Sequence, residues 1–145
     1  MKPCILLVED NEVDARAFRF LLDKMSSPPG LQVVGTVLQA TCYLKGIEPF
    51  SNRTEYPPPF LTVIDWNLPD VGGIELIKWI RAQSDLDPLL LAVMTATKQD
   101  ANLIKVYSLG AQALLFKGDP IDFQLQAIRD LRQSAIDKGI IKAEE

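Results

Sequence analysis

Short apolar runs alternate with helix-spaced segments along this chain, and that alternation constrains its fold more than any other feature. Cys4-Ile5-Leu6-Leu7-Val8, Leu31-Gln32-Val33-Val34-Gly35, Phe60-Leu61-Thr62-Val63-Ile64, Leu89-Leu90-Leu91-Ala92-Val93-Met94 and Ala113-Leu114-Leu115-Phe116 are bounded by turn formers. Runs of this length predict strands buried on both faces. Between them, Phe18, Leu21, Leu22 and Met25 fall on one helical face, with Asn11 placed to cap it. Ile74, Ile77 and Ile80 form a second stripe, and Leu103, Ile104 and Val106 a third before Gly110. A short helix is predicted around Gln39 to Ile47. A longer one runs from about Ile121 to Lys138, with Ile121, Leu125, Ile128 and Leu131 inward and Asp122, Arg129, Asp130 and Arg132 mostly outward.

Five strands alternating with five helices predict an α/β fold with a five-stranded parallel sheet. Each parallel crossover needs a helix and is right-handed, so both faces are covered. The doubly wound strand order 2-1-3-4-5 suits five strands, and its crevice lies at the carboxyl ends of the first and third strands. Attention therefore falls on the residues just after Val8 and Ile64. A chain of 145 residues, 48% hydrophobic and 23% charged, fits one compact domain over 1–145. The segment Glu48 to Pro59, with Pro57-Pro58-Pro59, predicts a long surface loop extended by polyproline geometry.

Composition removes whole classes of chemistry. The chain has no histidine, which excludes Ser-His-Asp and Cys-His nucleophile systems, His-ligated zinc and an imidazole pH switch. A formal net charge of -4 argues against a nucleic-acid surface. The apolar run from Cys4 to Val8 is too short for a signal peptide or a membrane span. Cys4 and Cys42 predict reduced thiols, and the protein is expected to be cytoplasmic.

Chemistry gathers at the predicted strand ends. Glu9 and Asp10 follow the first strand and Asp65 the third. Carboxylates about 4 Å apart repel by roughly 4 kcal/mol per pair at an effective dielectric near 20. A hard divalent cation, a raised carboxylate pKa or a nearby lysine would offset this. Thr95 after the fourth strand brings a hydroxyl, and Lys117 after the fifth an ammonium. Together these are the parts that hold Mg2+ and a phosphoryl group on an aspartate.

The motifs Leu7-Val8-Glu9-Asp10-Asn11, Val63-Ile64-Asp65-Trp66-Asn67-Leu68-Pro69, Met94-Thr95-Ala96 and Phe116-Lys117 resemble, in order and spacing, the receiver domain of bacterial response regulators. The resemblance covers essentially the whole chain. It implies that Asp65 accepts a phosphoryl group from a phosphohistidine on a sensor histidine kinase or a histidine phosphotransfer protein. It implies Mg2+ held by Glu9, Asp10, Asp65 and the backbone carbonyl of Asn67. Thr95 and Lys117 would bind the phosphoryl oxygens, and Asn67 and Thr97 match positions that tune hydrolysis. Such a protein is a phosphoacceptor rather than a turnover enzyme. It signals through an output partner or a relay, and the last two helices and last strand are where that partner, or a second subunit of a homodimer, docks. No output domain is expected after the last helix.

The chain departs from the family pattern in four places. Gly118 follows Lys117 where the family usually has a cis proline, and Leu114 stands where a switch aromatic is frequent. Gly72-Gly73 replaces Asp-Gly, and the connection over 48–59 is long, as in stand-alone receivers associated with phytochromes. Gly118 and Leu114 make a non-phosphorylated pseudo-receiver the main alternative. A flavodoxin-like FMN carrier would need a Gly, Ser and Thr rich loop where this chain has Glu9, Asp10 and Glu12. A haloacid-dehalogenase-like phosphatase would need an Asp where Asn67 stands. Trp66 and Trp79 are expected to pack, with Trp66 partly exposed beside the site.

Overall fold

The computed structural model describes residues 2–143. Met1, Glu144 and Glu145, the ends of the domain expected over 1–145, lie outside the described residues. Strands β1 (Cys4–Val8), β2 (Gly30–Val34), β3 (Leu61–Asp65), β4 (Leu90–Thr95) and β5 (Ala113–Phe116) form one parallel sheet in the order β2-β1-β3-β4-β5. Helices α1 (Glu12–Asp23), α2 (Val37–Lys45), α3 (Gly73–Ala82), α4 (Lys105–Leu109) and α5 (Ile121–Asp137) alternate with the strands. The expected doubly wound α/β architecture is present.

The period of two in β1 divides the core between the two faces of the sheet. Leu6 and Val8 pack with Tyr43 of α2, Leu76 and Ile80 of α3 and Val106 of α4. Ile5 and Leu7 pack with Phe18 and Leu22 of α1 and Ile128 and Leu131 of α5. Helix ends follow local chemistry. The Asn11 side chain accepts from the Asp14 N–H at 3.0 Å, and Gly46 closes α2 at a φ of 67°. Asp70, in the loop after β3, accepts from the N–H groups of Val37 and Leu38 at 3.0 and 3.1 Å. It thereby ties that loop to the positive end of α2. Burial would raise the Asp70 carboxyl, but these N–H donors hold it below the usual carboxylate range.

Several expectations are corrected. Central strands β1, β3 and β4 are buried throughout, whereas β2 and β5 are partly exposed. The reason is positional: both lie at sheet edges, which a run of apolar residues does not reveal. Ile104 is 79% exposed, because a 3-10 turn over Ala101–Ile104 precedes the short α4 and rotates it off the inward stripe. Ile121 is 48% exposed at the first position of α5, beyond the reach of the core. Trp66 packs as expected but is buried, at 8% exposure, rather than partly exposed, with its indole N–H donating to Asp100 at 2.8 Å.

The segment 48–59 is anchored to the core through its aromatic residues and Arg53. Phe50 and Tyr56 fold back against Tyr43, with ring centroids 5.1 and 6.1 Å away, and Arg53 donates to the carbonyls of Tyr56 and Leu44 at 3.0 and 3.2 Å.

Arg81 near the end of α3 provides another tertiary clasp. Its guanidinium donates to the carbonyls of Leu89 at 2.8 Å, Gly110 at 3.0 Å and Leu86 at 3.3 Å. Arg81→Met keeps the aliphatic stem but leaves these carbonyls without their donor. It is expected to lower stability by about 2–3 kcal/mol, read as a reduced urea midpoint; an unchanged midpoint would show that water replaces the guanidinium.

Candidate acidic site at the strand ends

Backbone hydrogen bonds just past the strands set the site. Glu9 N–H donates to Val34 O at 2.8 Å, Trp66 N–H to Met94 O at 2.9 Å and Lys117 N–H to Thr95 O at 2.8 Å. Sheet pairing thus continues one residue beyond β1, β3 and β5. Glu9, Asp65 and Lys117 are held at one edge by the ladder itself, not by flexible loops.

Carboxylate oxygens of Glu9, Asp10 and Asp65 lie within 4.8 Å of one another. Glu9 and Asp65 are buried, while Asp10 faces solvent. Lys117 reaches into this cluster: its Nζ lies 2.7 Å from Glu9 Oε1, 2.8 Å from Asp14 Oδ2 and 3.6 Å from Asp65 Oδ1. Burial, reinforced by the neighbouring Asp65, pushes the Glu9 carboxyl up to about 7, although Lys117 and the Asn11 N–H pull the other way. Lys117 is pushed above the ordinary lysine range: burial would lower it, but its bonds to Asp14 and Glu9 and the charge of Asp65 prevail. Of the three offsets the sequence left open, a lysine and a raised carboxylate pKa are both present.

The donor set also fits the third, a hard divalent cation. All three acids offer oxygen, the open side at Asp10 leaves room for water ligands, and one lysine does not neutralise the acids around it.

The remaining predicted residues sit around this centre. Thr95 is fully buried; its Oγ1 accepts from the Thr97 N–H at 3.3 Å and donates to the Thr97 carbonyl at 3.4 Å. Asn67 is exposed and donates its N–H to Asp65 Oδ1 at 3.3 Å. Thr97 is exposed at the rim, its hydroxyl oxygen accepting from the Gln99 N–H at 3.1 Å. Leu114 lies within β5, packed toward the α2, α3 and α4 side of the core. The Lys117-Gly118 peptide is trans, the Glu48-Pro49 bond being the cis peptide among the described residues. A trans bond at Gly118 still lets Lys117 reach the acids. Gly73 permits a close approach, since a Cβ there would sit 3.2 Å from the Asp65 carbonyl.

Sequence reasoning missed three acids. Asp14 binds Lys117, Asp100 joins Trp66 to the turn before α4, and Asp119 pairs with Lys98 at 3.0 Å. The indole and Asn102 N–H groups hold the Asp100 carboxyl below its ordinary range. Asp10 precedes the Asn11 cap, so no helical spacing ties Asp14 to the acid cluster, and no local signal flags the first of them.

Residues 5–129 match the family model of the response regulator receiver domain. The chain belongs to this family. Among curated relatives, the receiver is 29% identical over 113 residues to response regulator Rcp1 of Synechocystis sp., covering 78% of this chain and 75% of Rcp1. It is 26% identical over 117 residues to the polar-differentiation response regulator DivK of Brucella ovis, covering 81% and 85%. Among solved structures, the bacteriophytochrome response regulator AtBRR superposes with a TM-score of 0.79 at 26% identity, covering 100% of this chain and 98% of that one. No described helix is long and apolar enough to cross a membrane.

Proposed function

We propose that this receiver takes a phosphoryl group onto Asp65 from a phosphohistidine on another protein, with Mg2+ bound at Glu9, Asp10, Asp65 and the Asn67 carbonyl. The observation that carries this reading is Asp65 itself: buried at the end of β3, within 4.8 Å of two more acids and 3.6 Å from the Lys117 ammonium. An Asp65 carboxylate oxygen attacks phosphorus, the N–P bond breaks as the O–P bond forms, and the departing imidazole keeps the electron pair and takes a proton from solvent. Bound Mg2+ would offset the charge that the acids and the incoming group bring together. Thr95 and Lys117 supply donors to the phosphoryl oxygens. With no histidine in residues 1–145, the phosphoryl donor lies outside these residues: a kinase, a phosphotransfer protein or a small phosphodonor. Likeness over the whole chain to AtBRR, a bacteriophytochrome response regulator, supports a phytochrome-linked donor.

Output then leaves through a surface whose conformation depends on phosphorylation. The α4, β5 and α5 side offers exposed Ile104, Tyr107 and Phe123 to an output protein or a second copy. The setting for both exchanges is the cytoplasm.

Trp66, directly after Asp65, makes the test simple. Mg2+ followed by beryllofluoride is expected to change tryptophan fluorescence, and acetyl phosphate to retard the protein on Phos-tag gels; Asp65→Asn is expected to abolish both responses. A response absent from the parent, or identical in the variant, would overturn the phosphoacceptor reading and favour a non-phosphorylated interaction module.

A further inference from the structure

Lys117 is held by two carboxylates, and only one of them belongs to the acid cluster. Glu9 lies inside it; Asp14 stands on the first turn of α1, outside it. From this geometry, and resting on the phosphoacceptor reading above, we propose that Asp14 is a positioning residue that competes with the phosphoryl group for the Lys117 ammonium.

Both ends of the contact are anchored in the backbone. Lys117 N–H donates to Thr95 O at 2.8 Å, and the Lys117 carbonyl accepts from Gln124 Nε2 at 3.2 Å. Asp14 is fixed in turn by its N–H bond to the Asn11 cap at 3.0 Å. What remains free is the tip of the lysine. Asp14 and Lys117 both line a cavity of about 240 Å3 with Ala17, Phe18 and Gln124, whereas Glu9 and Asp65 do not.

An ammonium has three N–H donors. Two point to Glu9 Oε1 and Asp14 Oδ2 at 2.7 and 2.8 Å, whereas Asp65 Oδ1, at 3.6 Å, is beyond hydrogen-bond reach. The third N–H is uncommitted and can turn toward an oxygen of a group carried on Asp65, which then shares the ammonium charge with Glu9 and Asp14. Glu9 lies on the Asp65 side of the site. Asp14 lies outside the acid cluster, on the first turn of α1. Its charge therefore favours the unphosphorylated arrangement of Lys117, and a phosphoryl group competes with it for the ammonium.

Asp14→Asn tests this, since it keeps size and an oxygen acceptor but removes the charge, and the 39% exposed side chain leaves folding intact. With Mg2+ present, beryllofluoride titrated against Trp66 fluorescence is expected to bind about fivefold tighter to Asp14→Asn than to the parent, the scale of one partly exposed ion pair. In a Lys117→Gln background the same change is expected to leave affinity unaltered, because the competition has lost its object. Equal or weaker binding by Asp14→Asn overturns the proposal. So does an undiminished gain in the Lys117→Gln background, which would assign the effect to bulk charge. A parent that shows no Asp65-dependent binding overturns the phosphoacceptor reading and this inference with it; a parent that binds normally beside an unaltered Asp14→Asn overturns this inference alone.

Discussion

Apparent Mg2+ affinity is expected to rise about tenfold between pH 6 and pH 8, because the cation binds the ionised form of a carboxyl that is half-protonated at neutral pH. Glu9 is that carboxyl: burial, with Asp65 alongside, pushes it up to about 7. Below pH 7 each bound cation must expel a proton from Glu9; above pH 8 it need not. Calorimetric titrations in two buffers of different ionisation enthalpy would read this proton release directly. A flat affinity profile over the same range would mean that Glu9 is already ionised in the metal-free protein. The same shift makes metal-free stability fall with rising pH. The folded state holds the Glu9 proton more tightly than the unfolded chain does, so the contribution is complete below the ordinary glutamate value of 4.5 and is lost as pH passes through about 7. Saturating Mg2+ is expected to abolish that slope between pH 4.5 and about 7, since it keeps Glu9 ionised in the folded state as it is in the unfolded chain.

Tyr43→Ala is expected to cost about 3–5 kcal/mol of stability, the range for emptying a large buried aromatic site. Tyr43 has no exposed surface, and its ring is the hub against which Phe50 and Tyr56 stack. Arg53 covers the same ring at 5.5 Å, and the phenol donates to the Pro57 carbonyl at 2.8 Å. Alanine would therefore open a cavity in the core and release the 48–59 segment from its only aromatic seat among the described residues. Tyr43→Phe isolates the polar part: it preserves the stacking, leaves the Pro57 carbonyl without its donor and is expected to cost about 1–2 kcal/mol. Urea denaturation of both variants would check the pair. A loss below about 1 kcal/mol for Tyr43→Ala would mean that the segment packs without its help.

How far the site could be read in advance depended on the range of the interaction. Glu9, Asp10, Asp65, Thr95 and Lys117 were legible because each sits at the end of an apolar run, and the 2-1-3-4-5 order brings those ends to one edge. Asp14 was not. Its place in the first turn of α1 also suits the helix dipole, and nothing local tells a dipole-favoured acid from a lysine partner. Asp100 and Asp70 hid for the same reason, each in a polar loop and each bound to a group 32 to 34 residues away. In the 48–59 segment the prolines were the visible local signal, while the packing of Phe50 and Tyr56 needed Tyr43 already in place.

By itself the sequence determined the alternation of strands and helices, the parallel sheet and the edge at which acids, hydroxyl and lysine collect. These follow from local apolar runs, turn formers and the handedness of crossovers, each confined to a short stretch of chain. Tertiary structure alone decided that Lys117 bonds Glu9 and Asp14, 108 and 103 residues distant, and that Glu9 holds its proton to about pH 7. Charge energies depend on separation and burial in space, and a chain that brings such distant residues within 3 Å records neither quantity in its order.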